Sequence, residues 1–446
     1  MYSHKKLSVV FGLLLVSGLL FTACQPQIVE VIKEVPVESV VVKEVVVEKI
    51  VEVEKIVEVA AEVDQGGQPP IMDEYPKEWI AEQLRKEGQV LIYWPSGSNF
   101  KKWINDDLLP GFANHVYDTY GLEQHEFRAG LLSTAGGDTA FFQKLTAFKE
   151  GGGEAGTFDI DAARVPPDHR TMDAIELDDW FLPLLPTYKA LVPNLLDVNE
   201  TGLNTFSYQG VTKAIPYGQP TVSMFYNSDS VPNPPQTLEA LLEWAKENPQ
   251  RFTYEDPRTA AFSSGTLWLL TVMHHFGDEN DPSTWDEGWD YLTEMQEYVY
   301  PLPGTAELEL ELMRRGEIFI MPFWNDWGVY SRTALDMPFL TPYYVESGGP
   351  LRNTPMAIPM DARHPVGAMI FLNYTMGPEA QSSMARTLAQ IPSNMSEETW
   401  SQFEADAFGF TYEEILQLTF PAFNSRENVD AIKLMGEQWS EKVLGR

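Results

Sequence analysis

Gln89-Val90-Leu91-Ile92-Tyr93-Trp94, followed by Pro95-Ser96-Gly97-Ser98, is the stretch that decides the fold class. The first six residues are apolar and β-prone, and the next four interrupt a strand. Helical spacing then runs through Trp103, Ile104, Leu108 and Leu109. The same order recurs downstream. Residues 126–132 read as a second strand, Ser133-Thr134-Ala135-Gly136-Gly137-Asp138 as a small-residue loop, and residues 139–149 as a helix with Asp138 at its N-cap. Gly151 to Gly153 stop that helix, and Thr157-Phe158-Asp159-Ile160-Asp161-Ala162 is a third strand. Strands alternating with helices predict parallel β-α-β units in an α/β fold. Ligands of such sheets sit beyond the carboxyl ends of strands, near helix N-termini. The loops at Ser96 and at Ser133 and Thr134 occupy that kind of position.

A second segment opens at Ala214-Ile215-Pro216-Tyr217-Gly218. Residues 222–226 read as a strand, Pro232-Asn233-Pro234-Pro235 as a rigid turn, and residues 238–248 as an amphipathic helix closed by Pro249. Phe262-Ser263-Ser264-Gly265-Thr266 leads into an apolar helix at 267–275. Residues 316–321 read as a strand that delivers Pro322-Phe323-Trp324-Asn325-Asp326-Trp327. A late strand at 356–358 and a helix at 365–376 precede further helices to the C-terminus.

Outward from the folded body, the N-terminus fixes the compartment. Lys5 and Lys6 precede the uncharged run 7–23, which is short for a membrane span and suits a signal-peptide core. Leu20-Phe21-Thr22-Ala23-Cys24 is similar to the lipobox of bacterial lipoproteins, which implies cleavage before Cys24 and a lipid on its sulfur. Cys24 is the only cysteine of 446 residues, so no disulfide holds the fold. Residues 28–63 are rich in valine, isoleucine, glutamate and lysine, and Glu48-Lys49-Ile50-Val51-Glu52-Val53 recurs as Glu54-Lys55-Ile56-Val57-Glu58-Val59. A six-residue period matches neither helical period, and a lone alternating strand cannot bury its valine face. The segment reads as a spacer, with self-association as an alternative. Gln65-Gly66-Gly67-Gln68-Pro69-Pro70 then marks where the body begins.

The net charge is −34, from 31 basic and 65 acidic residues. Such a surface repels nucleic acid and anionic lipid headgroups, so both are excluded as partners. It favours a cationic ligand, or serves only solubility outside the cell. Signals of catalysis are weak. Gly151-Gly152-Gly153-Glu154-Ala155-Gly156 matches the dinucleotide pattern literally, yet it follows a helix and precedes a strand, the reverse of the required context. There is no nucleophile elbow and no Walker-type loop. His274 and His275 are adjacent and so point to different faces of a helix, a poor metal geometry. Asp159/Asp161 and Asp178/Asp179 are the candidate carboxylate pairs for a glycosidase, without a supporting pattern. We therefore expect no enzyme and no cofactor. Aromatic residues near strand ends are more informative: Tyr93, Trp94, Tyr217, Tyr226, Trp324 and Trp327. Their faces stack on sugars, heterocycles or cations, while Tyr226 and Trp327 are expected in the core. Asp326 beside Trp324 adds a carboxylate to an aromatic wall.

Several runs carry a resemblance: Met224-Phe225-Tyr226-Asn227, Val231-Pro232-Asn233-Pro234-Pro235-Gln236-Thr237, Leu241 to Pro249, and Gly349-Pro350-Leu351-Arg352-Asn353-Thr354-Pro355-Met356-Ala357-Ile358-Pro359. With Gly377-Pro378-Glu379-Ala380 they resemble bacterial extracellular solute-binding proteins of family 1, the capturing subunits of ABC importers, in the branch of thiamine, iron and polyamine binders. The resemblance implies a two-lobed periplasmic-binding-protein fold of the second type, with hinged lobes around a ligand cleft. It implies a small-molecule solute, ABC permease subunits as partners, a lipid anchor and a monomer. Expected domains are a signal peptide (1–23), a tether (24–70), one lobe from 71–215 with 330–385, and the other from 216–329 with 386–446. The implied ligand-binding residues are Tyr93, Trp94, Ser96, Ser133, Thr134, Tyr217, Ser264, Trp324, Asp326, Arg352 and Asn353. Pro95-Ser96 replaces the polar-acidic pair usual in polyamine binders, and Arg352 would repel a diamine if it faces the cleft. The alternatives are a secreted carbohydrate-active enzyme and a sensory or adhesive surface protein.

Overall fold

The computed structural model describes residues 67–95, 97–132, 137–259, 263–396, 399, 410 and 412–445. The signal run, Cys24 and the tether up to residue 66 lie outside the described residues, as do Ser96, Ser133 and Thr134. Among those described, no helix is long and apolar enough to cross a membrane.

Two sheets organise the body. The larger has six strands in the order Ile391–Pro392, Ala214–Gln219, Thr354–Ala357, Ala162–Arg164, Gln89–Tyr93 and Arg128–Leu132. Gln89–Tyr93 lies parallel to both Arg128–Leu132 and Ala162–Arg164, as alternation with helices predicts. Thr354–Ala357 and Ile391–Pro392 run antiparallel to their neighbours. Thr354–Ala357 enters the larger sheet directly from the passage at Asn353. The smaller sheet places Val222–Asn227 between Ile320–Trp324 and Leu340–Tyr343, all antiparallel. Parallel pairing thus holds for the first three strands only.

Local chemistry sets the boundaries. Gly88, at φ 69°, ends the helix Lys77–Glu87 by donating to the Leu84 carbonyl, and the first strand starts at the next residue. The Glu87 carboxylate accepts from the Val366 and Gly367 amides at 3.0 and 2.7 Å, holding the N-terminus of the helix Pro365–Thr375. Thr237 and Ser263 cap the helices Leu238–Glu247 and Ser264–Phe276. Several boundaries differ from the sequence reading. The helix expected at 139–149 spans Gly137–Glu150, so Asp138 lies inside it and is not its N-cap. The third strand sits at Ala162–Arg164, because Asp161 is diverted: its carboxylate accepts from the Leu91 and His364 amides and from the His364 ring. Asp159 pairs with Lys144 at the surface. The strand expected at 316–321 lies at Ile320–Trp324, with Pro322 inside it. An outer strand of the sheet tolerates proline, which has no N–H to give a neighbour.

The chain passes from the larger to the smaller sheet at Pro220–Thr221 and returns at Asn353, and these two passages lie side by side. The Arg352 amide donates to the Pro220 carbonyl at 2.9 Å, and Gln219 Nε2 donates to Asn353 Oδ1 at 3.1 Å. Leu340–Tyr343 joins the smaller sheet and Ile391–Pro392 the larger. The expected partition put them in the opposite lobes, because the sequence does not mark these passages. Separate apolar clusters support the body. One packs Trp94, Trp103, Tyr217, Phe112 and Phe371; another packs Tyr254, Trp268, Trp285 and Trp439.

Candidate functional site

A cavity of about 290 Å³ opens where the two passages meet. From the larger sheet it is lined by Pro95 and Gly97 after the first strand, Phe100, Arg164, Tyr217 and Gln390. Pro220 and Arg352 contribute from the passages, and Trp324, Asp326 and Trp327 from the end of the strand Ile320–Trp324 and the helix after it. Glu255, Ser263 and residues 305–307 close the remaining side. The wall mixes aromatic faces with many polar and charged groups, a lining suited to a small polar molecule.

Each side chain has a physical reason to be where it is. Trp324 ends its strand and Asn325 starts the helix Asn325–Ala334, which puts Asp326 in the first helical turn, where a carboxylate is favoured. Asn99 Nδ2, on the helix after the first strand, donates to Asp326 Oδ2 at 2.8 Å. This bond joins elements that follow strands of different sheets. Burial raises the Asp326 carboxyl to about 6, against the opposing pull of the Asn99 hydrogen bond and the nearby Arg352 charge. The Arg352 guanidinium stacks 4.4 Å above the Trp324 ring, a cation–π contact inside the wall. Arg164 Nη1 donates to the Pro95 carbonyl at 3.2 Å. Burial raises the Tyr217 hydroxyl, offset by Arg164 and Arg352. Gln390 is 2% exposed, and its Oε1 finds no hydrogen-bond partner within the protein.

Two further carboxylates, Glu255 and Glu307, line the cavity. Glu255 Oε2 accepts from the Ser264 amide at 3.1 Å and from Ser264 Oγ at 2.8 Å, at the start of the helix Ser264–Phe276. Burial raises the Glu255 carboxyl, and Glu307 adds to the rise. Glu309 is fully buried, neither of its oxygens has a partner, and burial raises it well above the usual carboxylate range. Space is tight across the cavity: a Cβ on Gly97 would lie 2.3 Å from Trp327 Cζ2.

Of the residues singled out in the sequence, Tyr217, Trp324, Asp326 and Arg352 line this one cavity. Trp94 lies behind the wall, wholly buried, with its ring 4.6 Å from that of Tyr217 and its Nε1 unpartnered. Tyr93 turns into the core against Phe141 and donates to the Gly137 carbonyl at 2.6 Å. Ser264 holds Glu255, and Asn353 holds Gln219 across the passages. Trp327, expected in the core, is half-buried and lines the cavity, whereas Tyr226 packs on Tyr343 as a core residue would. Sequence reasoning did not find Phe100, Arg164, Glu255, Glu307 or Gln390. Arg164 was hidden by the misplaced third strand; Glu255 and Glu307 carry no local signal. Among the described residues no group of histidine, cysteine and carboxylate side chains could hold a metal.

The family of bacterial extracellular solute-binding proteins matches residues 171–408. Protein YnjB of Escherichia coli is 27% identical over 187 residues, 37% of this chain and 46% of its own, so the chain spans less than half of that relative's length. Among solved structures, the GacH receptor of Streptomyces glaucescens superposes with a TM-score of 0.61 at 14% identity, covering 80% of this chain and 93% of the receptor. Maltose-bound MalE3 of T. maritima gives 0.59 at 14% identity over 79% and 99%. The substrate-binding protein of an ABC transporter from Agrobacterium tumefaciens gives 0.57 at 14% identity over 80% and 94%. These likenesses establish a shared two-lobed α/β architecture.

Proposed function

We propose that this chain, which belongs to the family of bacterial extracellular solute-binding proteins, captures a small polar solute between two hinged lobes and presents it to the permease of an ABC importer. The observation that carries the proposal is the cavity at the paired passages, with Tyr217 and Arg164 from one sheet facing Trp324 and Asp326 from the other. The Gln390 carbonyl in its wall is a buried acceptor without a protein donor, and a solute N–H or O–H would satisfy it. The lobes divide at the passages: the six-stranded sheet with its helices forms one, the three-stranded sheet with the helices Leu238–Glu247 and Ser264–Phe276 the other. Rotation about residues 219–221 and 352–354 would open and close the cavity. We further propose that Cys24 is lipidated after removal of residues 1–23 and that residues 24–70 tether a monomeric body outside the membrane.

The test is a thermal screen of the purified protein against a metabolite panel, with small-angle scattering of each hit. The expected result is a solute that raises the unfolding temperature and contracts the particle. A stabilising solute that leaves the scattering curve unchanged would remove hinge closure, and a fruitless broad screen would remove capture itself.

A further inference from the structure

Beside the cavity the two sheets' elements meet at a polar contact that water does not reach. Asn99, in the helix Ser98–Trp103, and Asp326, in the helix Asn325–Ala334, are 0% and 4% exposed and share the 2.8 Å bond from Asn99 Nδ2 to Asp326 Oδ2. Packing around it is close. A Cβ on Gly97 would lie 2.3 Å from Trp327 Cζ2 and 3.1 Å from Asn99 Oδ1. Val329, on the same helix as Asp326, packs with Ala389 and with Ile391 of the larger sheet's edge strand. Yet the contact is incomplete: Asn99 Oδ1 is buried and has no hydrogen-bond partner, which is costly. A carboxamide offers two hydrogens and an acceptor oxygen, whereas an ionised carboxylate only accepts. The pair can therefore make a second bond only when Asp326 carries a proton to give.

We propose that Asn99 and Asp326 form a proton-dependent latch that holds the two walls of the cavity together before solute arrives, a proton on Asp326 being donated to Asn99 Oδ1 to complete a two-bond acid–amide pair between the lobes. This rests on the reading of lobes hinged at the two passages. Opening the hinge gives both side chains to water, where the carboxyl returns to its ordinary range; burial in the closed form raises it to about 6. Closing thus takes up a proton. The advantage to the closed form is present below about pH 4 and is lost as the pH rises through about 6. The charge beside Asp326 is that of Arg352, which opposes the proton, and Tyr217 feels Asp326 from the larger sheet. Arg164, Glu255 and Glu307 face the same cavity. The helices packed on Asn325–Ala334 bring Lys101, Lys102, Glu379 and Arg386, all exposed, and the strands beneath it bring Tyr226 and Tyr343. Replacing Asp326 alone separates its titration from that of the glutamates.

The experiment is a pulsed electron-spin distance measurement on the full-length protein in detergent, without solute. Spin labels are placed at Asp118→Cys on the larger lobe and Glu247→Cys on the smaller, both exposed positions, in a Cys24→Ser background. The expected result is two populations, the closed one gaining about tenfold or more over the open one as the pH falls from 8 to 4.5, as a gap of about two pH units in the carboxyl predicts. Asp326→Asn supplies an amide hydrogen to Asn99 Oδ1 at any pH, so its closed population should be high and independent of pH. Asn99→Ala should lower the closed population about tenfold at pH 4.5, as loss of buried hydrogen bonds predicts. Wild-type populations that ignore pH, an Asp326→Asn variant that follows pH as the wild type does, or an Asn99→Ala population equal to that of the wild type overturns the latch. The first two readouts decide the matter even where Asn99→Ala does not fold. Two distances whose balance ignores pH remove the latch and leave the hinge. One narrow distance in every protein at every pH removes the hinge of the proposed function as well.

Discussion

Asp326→Asn is the substitution whose effect the structure specifies most closely. The Asp326 carboxyl is buried at the first turn of its helix, bonded to Asn99, and raised to about 6 from the usual 3.8. The folded protein therefore holds this proton more tightly than the unfolded chain does. Protonation favours the fold, and stability is lost as the pH rises from about 4 to about 6, staying lowered above that range. At about 1.4 kcal/mol per pH unit, the gap corresponds to about 3 kcal/mol. Asparagine keeps an oxygen to accept from Asn99 and removes the charge. The variant should consequently gain on the wild type across this window, by up to about 3 kcal/mol at pH 8 relative to pH 4. The assay is urea unfolding followed by tryptophan fluorescence at closely spaced pH values for both proteins. Taking the difference between them cancels the other carboxylates, which titrate alike in each. Parallel profiles, or a wild type that gains on the variant as pH rises, would refute the assignment of burial as the dominant effect on this group.

Glu309→Met replaces a buried carboxyl that has no partner by an apolar side chain of similar length. It should stabilise the fold by about 1–3 kcal/mol, and by more at high pH, read from the unfolding midpoint; a variant less stable than wild type at pH 8 would show that the acid is satisfied. Gly97→Ala places a methyl group 2.3 Å from the Trp327 ring, so the ring must move out of the cavity wall. Solute affinity should fall roughly tenfold with little change in the unfolding temperature of the solute-free protein, since a displaced wall costs contacts made only around bound solute. An unchanged affinity would mean that Trp327 is not in contact with the solute.

The parts of the fold that could be read in advance are those where neighbouring residues decide the structure. Gln89-Val90-Leu91-Ile92-Tyr93 forms a strand because its apolar run is bounded by Gly88 and Pro95, and the helix Leu238–Glu247 starts at a threonine cap and stops before Pro249. Trp324 and Asp326 were recognisable because an aromatic and an acid straddle a strand end. Readings failed where a distant partner intervened. Asp161 is drawn away from its strand by His364, 203 residues along, and Ile320–Trp324 is set by pairing with Val222–Asn227 rather than by the apolar residues just before it. Glu255, Glu307 and Gln390 belong to the cavity only because two chain passages meet beside them. No periodicity announces such a meeting.

The same distinction bears on charge. The sequence shows a strongly acidic protein, net −34, which alone suggests a cationic ligand. Yet two arginines line the cavity, one of them only 5% exposed and stacked on Trp324. The two facts act at different distances. At physiological salt a charge beyond about 8 Å is largely screened, so the acidic exterior influences approach, while the lining residues decide what stays. An acidic exterior draws in the positive end of a solute and opposes the negative end, whereas the lining arginines act on the solute only once it has entered. Rising ionic strength should thus slow association of a purely cationic solute more than that of a zwitterion, while dissociation, governed by the walls, changes little for either.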